Sequence, residues 1–223
     1  MLQAVIFDFD GVIADSEPLH LRAYQSVLQV DGIELGKEEY YRRYLGFDDA
    51  ELFQTLVKDR GLSVGADKVD HWIESKSRIV EALISSDALL FQGAAACVKM
   101  CAERVPLAIA SGALEHEIDL VLQHAGLRGC FAAIASASDG VRGKPAPDLY
   151  MLAMAKLPVT GHLEPASCIA IEDSRWGIEA ARKAGLRCVA VTHTYPAEHL
   201  KGADLVVSGL SEITIPTLEQ AVR

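Results

Sequence analysis

Ala4-Val5-Ile6-Phe7-Asp8-Phe9-Asp10-Gly11-Val12 is a short apolar run that ends on two carboxylates and a glycine. An unbroken apolar run, rather than an alternating one, fits a strand covered on both faces, as in the middle of a parallel sheet. Two aspartates one residue apart, followed by Gly11, belong to the turn after that strand. The turn lies at the strand's carboxyl end, where open α/β sheets bind their ligands. Two carboxylates packed there repel each other unless a cation or a shared proton relieves them.

Similar runs recur at 106–110, 132–135, 168–171, 187–191 and 205–207, with 132–135 the weakest of them. Helical periodicity fills the gaps. Leu114, Ile118, Val121, Leu122 and Ala125 share one face and stop at Gly126. Leu149, Leu152, Ala153 and Leu157 stop at Pro158, and Ile178, Ala181 and Ala184 stop at Gly185. A glycine or proline just past the last periodic residue is a helix stop signal. Strands alternating with helices of this length predict an α/β fold with a parallel, Rossmann-like sheet.

The segment from Asp15 to about Asp87 breaks this alternation. It carries no convincing strand and reads as successive helices, punctuated at Asp31-Gly32, Gly46 and Gly61. It holds seven of the fourteen aromatic residues, and its nine basic groups face fifteen acidic ones. A helical block is therefore expected to be inserted after the first strand.

Composition bounds the rest. The 223 residues allow one large domain or one and a half. Half are apolar and 23 % are charged, enough for a sizeable core and unlike a disordered chain. A formal net charge of -10 argues against a general nucleic-acid or membrane-surface binder. No apolar stretch is long enough to predict a transmembrane helix, and the amino terminus has no basic region of a secretory signal. The five cysteines are odd in number and scattered, which fits a reducing, cytoplasmic setting. Cys97 and Cys101, one helical turn apart, are expected to pack in the core.

Three further motifs sit at predicted strand ends or in the loops after them. Ile171-Glu172-Asp173-Ser174 adds a second acidic pair; with Asp8 and Asp10 it points to a hard divalent cation held by oxygens, for which Mg²⁺ is the expected choice. In a bland reading Asp173 or Ser174 caps the next helix. Ser111-Gly112, read as opening a helix, offers a hydroxyl and backbone N–H groups to a phosphate, or simply an N-cap. Gly143-Lys144-Pro145-Ala146-Pro147-Asp148 holds a lysine in a loop stiffened by two prolines. An attacking carboxylate, a cation site, and a hydroxyl and an ammonium for phosphoryl oxygens form the set that phosphoryl transfer needs.

These motifs, in this order, resemble the haloacid dehalogenase-like superfamily, in the branch that holds β-phosphoglucomutase and small-molecule phosphatases. The resemblance runs along nearly the whole chain. It implies a discontinuous core, 1–14 and 89–223, with an all-helical cap domain over 15–88 that closes to exclude water and reopens for release. It implies Asp8 as nucleophile and Mg²⁺ ligand, and Asp10 as general acid and base with its backbone carbonyl on the metal. Ser111, Gly112 and Lys144 would hold the phosphoryl group, while Asp173 and Glu172 would complete the metal site. His20 and Lys76 match substrate-facing cap positions of the mutase.

One departure stands out. The mutase carries an arginine three residues after the glycine matched by Gly46, where this chain has Asp48 and Asp49 in Gly46-Phe47-Asp48-Asp49-Ala50. Acids there repel a second phosphate, although Arg42 and Arg43 lie near in sequence. The expected activity is therefore hydrolysis of a small phosphomonoester, such as a sugar phosphate, through an aspartyl-phosphate. A phosphomutase is the alternative, and a dehalogenase or a non-catalytic binding module ranks below both. The expected partner is the small phosphorylated substrate, with the chain a monomer or small homo-oligomer.

Overall fold

A computed structural model describes residues 1–84 and 90–222 of the chain. In chain order its elements are β1 (Ala4–Phe7), α1 (Glu17–Gln29), α2 (Lys37–Arg43), α3 (Asp49–Asp59) and α4 (Ala66–Ile84). Then come α5 (Ala94–Ala102), β2 (Leu107–Ala110), α6 (Glu115–His124), β3 (Phe131–Ala135) and α7 (Asp148–Lys156). The chain continues through β4 (Cys168–Glu172), α8 (Arg175–Lys183), β5 (Arg187–Val191), β6 (Leu205–Val207) and α9 (Ile215–Ala221).

The chain divides into two compact units, one made of Met1–Asp15 with Ala88–Arg223 and the other of Ser16–Asp87. The boundary expected at 88 falls outside the described residues.

The first unit is built on a parallel sheet in the order β3-β2-β1-β4-β5-β6. Strand order reverses on either side of β1, which puts the ligand crevice of such a sheet beyond the carboxyl end of β1. Every residue of β1, β2 and β4 is buried, as their continuous apolar runs require. Ala4, Ile6, Ala108, Ala110, Ala133, Ala135, Ala170 and Ala190 form one face, closed by Leu149, Tyr150, Ala153, Ile178 and Ala181 of α7 and α8. Alanine on that face leaves room for the helices and costs no side-chain entropy on burial. The weakest expected strand, at 132–135, is real and begins at Phe131, whose ring meets Phe7 edge-on at 5.9 Å between centroids. The expected helices at 114–125, 148–157 and 174–184 each appear, shorter by a residue or two.

The second unit contains α1–α4 and, among its described residues, no strand. Tyr24, Leu28, Tyr40, Leu52, Phe53, Leu56 and Trp72 fill its core. Gly32, Gly46 and Gly61 take left-handed backbone angles at the expected turns. Cys97 and Cys101 of the first unit are buried in α5, and all five cysteines are free thiols.

Candidate active site

Backbone pairing brings the acidic motifs together. β1 pairs with β4 in register Phe7↔Ile171, so the residues that follow, Asp8 just past β1 and Glu172 at the end of β4, come side by side. The Asp8 amide donates to the Ile171 carbonyl at 2.9 Å, and the Asp8 carboxylate accepts from the Phe9 amide at 2.7 Å. Beyond Asp8 the chain turns sharply: the amides of Val12, Ile13 and Ala14 all donate to the Phe9 carbonyl. Gly11 takes a φ of 76°, and a β-carbon there would lie 2.0 Å from an Asp173 oxygen. Only glycine fits this turn on both counts.

Asp8, Glu172 and Asp173 each offer a carboxylate oxygen, and these atoms lie within 4.8 Å of one another in a buried cluster. One ammonium answers them: Lys144 Nζ sits 2.8 Å from Asp8 Oδ1 and 2.6 Å from Glu172 Oε1. Burial pushes the Asp8 carboxyl well above the usual carboxylate range; the Lys144 charge opposes this, and Glu172 and Asp173 add to it. Burial and the Glu172 charge push Asp173 up to about 7, while the Thr194 hydroxyl and Lys144 pull the other way. Burial disfavours the Lys144 ammonium, yet Asp8 and Glu172 more than compensate and hold its pKa above the ordinary lysine value. Among the described residues, three buried carboxylates gathered around the Lys144 ammonium make the oxygen donor set of a hard divalent cation.

Glu172 is held by residues that its sequence motif did not reveal. The Tyr150 hydroxyl donates to Glu172 Oε1 at 2.6 Å, and Lys144 Nζ lies 5.2 Å from the Tyr150 ring centroid. Gly177 leaves the space that the Glu172 carboxylate fills. Ser174 caps α8, accepting from the Gly177 amide at 3.1 Å, so the bland reading of that serine holds; its hydroxyl also donates to Glu172 Oε2 at 3.2 Å.

Ser111 directly follows β2 at the same carboxyl edge and is buried. Its hydroxyl accepts from the Ala113 amide at 3.1 Å, and the next helix begins only at Glu115. Ser111 and Gly112 therefore stand in a turn ahead of α6 rather than at its first residue, which corrects the expectation that they open the helix. Gly112 is exposed. Asp10 is half-buried in the Asp8–Ala14 turn, and its charge reaches Asp173.

His20 and Lys76 belong to the second unit. His20 is half-buried in α1. Lys76 is buried in α4, its Nζ 2.7 Å from Asp49 Oδ1 and 5.0 Å from the Tyr24 ring centroid. Tyr24 donates to the same Asp49 oxygen at 2.5 Å. Of the two acids after Gly46, Asp48 is the N-cap of α3, accepting from the Glu51 amide at 2.7 Å, and Asp49 is the partner of Lys76. Arg43 is tied to Asp59 at 2.6 Å.

The chain is similar to known proteins along nearly its whole length. Residues 2–185 match the family model of the haloacid dehalogenase-like hydrolases. Hexitol phosphatase B of Escherichia coli K12 is 31 % identical over 96 % of this chain and 96 % of its own length. β-Phosphoglucomutase of Bacillus subtilis is 30 % identical over 98 % of this chain and 95 % of its own. The crystal structure of CbbY from Rhodobacter sphaeroides in complex with phosphate superposes with a TM-score of 0.86 at 27 % identity, covering 98 % of this chain and all of that one. A parallel sheet with its acidic cluster beyond β1 and β4, matched along nearly its whole length by such relatives, makes this chain an enzyme belonging to the haloacid dehalogenase-like hydrolase family.

Proposed function

We propose that the chain is a Mg²⁺-dependent phosphatase that hydrolyses a small phosphomonoester of the sugar-phosphate class through an aspartyl-phosphate on Asp8. The observation that carries the reading is the Lys144 ammonium bridging Asp8 and Glu172 inside a buried carboxylate cluster. Asp8, Asp173, Glu172 and the Asp10 carbonyl would hold Mg²⁺, which when bound supplies positive charge against the phosphoryl oxygens.

The chemistry then rests on this chain's own groups. Lys144 helps keep Asp8 ionised, against the desolvation that favours its protonated form. An Asp8 oxygen attacks phosphorus; the new O–P bond forms as the ester O–P bond breaks. Asp10 gives a proton to the departing alkoxide. Ser111, the Gly112 amide and Lys144 hold the phosphoryl oxygens through this step. Asp10 then takes a proton from water as that water attacks the phosphoryl group, the Asp8–O–P linkage breaks and inorganic phosphate departs.

A phosphomutase is the second reading, favoured by the similarity to a protein named β-phosphoglucomutase. The helical unit argues for hydrolysis: Asp49 neutralises Lys76, and a site for a second phosphate needs cations that are not already paired. A phosphate-release screen over sugar phosphates with Mg²⁺ is expected to give free phosphate, and Asp8→Asn to lower the rate by roughly 10³-fold or more. Full Mg²⁺-dependent activity in Asp8→Asn would overturn the mechanism. A phosphorylated isomer in place of free phosphate would establish the mutase.

A further inference from the structure

His193 lies in the loop after β5, outside every motif described above, yet it touches three segments of the first unit, one of them the turn after β1. Its Nδ1 is 3.0 Å from the Gly11 carbonyl oxygen. Its ring stacks on Phe91, with centroids 4.0 Å apart and planes 16° from parallel. Its Nε2 edge faces Gly209, where a β-carbon would come within 3.2 Å. A carbonyl oxygen only accepts, so Nδ1 carries the proton and donates it. The next residue, Thr194, hydrogen-bonds Asp173.

Two of the segments that His193 joins, at Gly11 and Phe91, are the outgoing and returning lengths of chain at the edge of the first unit. Gly11 donates from its amide to the Ala14 carbonyl, Phe91 donates from its amide to the Ile13 carbonyl, and Ala14 pairs antiparallel with Leu90. The turn that presents Asp10 is thus closed on itself by Phe9 and Ala14, and the His193 side chain braces it from outside at Gly11. Val12, Ile13 and Ala14 are buried and anchored by packing, whereas Asp10 and Gly11 are only half-buried. A brace on the Gly11 carbonyl limits the motion of this less buried part of the turn.

We propose that His193 is a positioning residue for the proposed phosphatase reaction: by donating to the Gly11 carbonyl while stacked on Phe91, it fixes the Asp8–Ala14 turn and hence the carboxyl of Asp10. The proposal rests on the reading of Asp10 as the acid and base. A misplaced proton donor slows the chemical step without weakening ground-state binding.

Three variants separate the two contacts. His193→Asn keeps an N–H at nearly the place of Nδ1 and loses the stack. His193→Phe keeps the stack and loses the donor. His193→Ala loses both. Steady-state phosphate release in Mg²⁺ is expected to show kcat lowered about 10- to 100-fold in His193→Ala and His193→Phe, with KM within about twofold of wild type and partial recovery of kcat in His193→Asn. Amide hydrogen exchange over 9–14, read on the same proteins without substrate, is expected to speed up in the order Asn, Phe, Ala. Equal kcat in all three variants and wild type would overturn the proposal, as would a KM-only effect. Should wild type itself release no phosphate, the phosphatase reading fails on its own. The exchange pattern then decides the brace: unchanged protection over 9–14 in the two variants that lack the donor overturns it.

Discussion

Gly177 lacks a side chain because the Glu172 carboxylate occupies its place: a β-carbon there would fall 1.8 Å from the carboxyl carbon. Glycine inside a helix costs roughly 1 kcal/mol relative to alanine, so α8 gives up helix propensity to make room for a buried acid. Gly177→Ala should therefore lower stability despite its better propensity, by about 1–3 kcal/mol from overpacking, and should push Glu172 off Lys144 and Tyr150. A thermal melt and a phosphate-release assay check this; a melting temperature at or above wild type would mean that Glu172 is not fixed against α8. Residues of this kind set the limits of legibility. Asp8, Glu172, Asp173 and Lys144 are readable in the sequence because their types and their places, at or after the ends of apolar runs, announce chemistry. Tyr150, Gly177, His193 and Thr194 are not, because each acts through a neighbour that only folding brings near. A tyrosine two places after Asp148 looks like any helical core residue until its hydroxyl is seen on Glu172.

At the scale of elements, the unit that builds the site is β4 with α8. Glu172 ends the strand, Asp173 follows, and Ser174 starts the helix by accepting from the Gly177 amide while donating to Glu172. One hydroxyl thus serves the helix terminus and the acid together. Losing an N-cap costs about 1 kcal/mol, and Ser174→Ala should lower the melting temperature by roughly 2–4 °C in a chain of this size. The same variant removes one donor from Glu172, so its activity should fall as well, whereas Ser174→Thr should keep both. A melt and an assay on the pair test this; a destabilised Ser174→Ala with unaltered activity would confine the serine to capping. Strands and helices of the sheet unit are legible because a short unbroken apolar run suits a buried strand and glycine or proline marks where a helix stops. The strand at 131–135 is harder to read because one of its residues, Ala132, is exposed and breaks the buried run. Ser111 reads as opening α6 because the sequence does not distinguish a helix start from a turn a few residues ahead of it.

For the molecule as a whole, the net charge of -10 is concentrated most consequentially in the buried cluster. Asp8 is held well above the usual carboxylate range by burial, and Asp173 is pushed up to about 7 by burial and Glu172. Their folded pKa values exceed the unfolded ones, so over this range the native chain binds protons that the unfolded chain has lost. Stability from both groups is greatest below the ordinary carboxylate range and falls as pH rises through their raised pKa values, which for Asp173 is about 7. His193 works in the opposite sense: burial lowers its pKa, so it favours the fold more as pH rises through the ordinary histidine range, but it is one half-buried group against two buried carboxyls. Asp31, Asp139 and Asp148 are lowered by Lys68, Lys156 and Arg142 respectively, and they act only below the usual carboxylate range. The metal-free protein should therefore melt at a higher temperature at pH 5.5 than at pH 8. A cation that binds the ionised cluster competes with those protons, so Mg²⁺ should raise the melting temperature more at pH 8 than at pH 5.5. Melts at the two pH values, with chelator and with millimolar Mg²⁺, measure both effects without substrate. No rise with Mg²⁺ at pH 8 would remove the metal from the site, and a metal-free chain more stable at pH 8 than at 5.5 would mean that Asp8 and Asp173 are ionised in the fold without help.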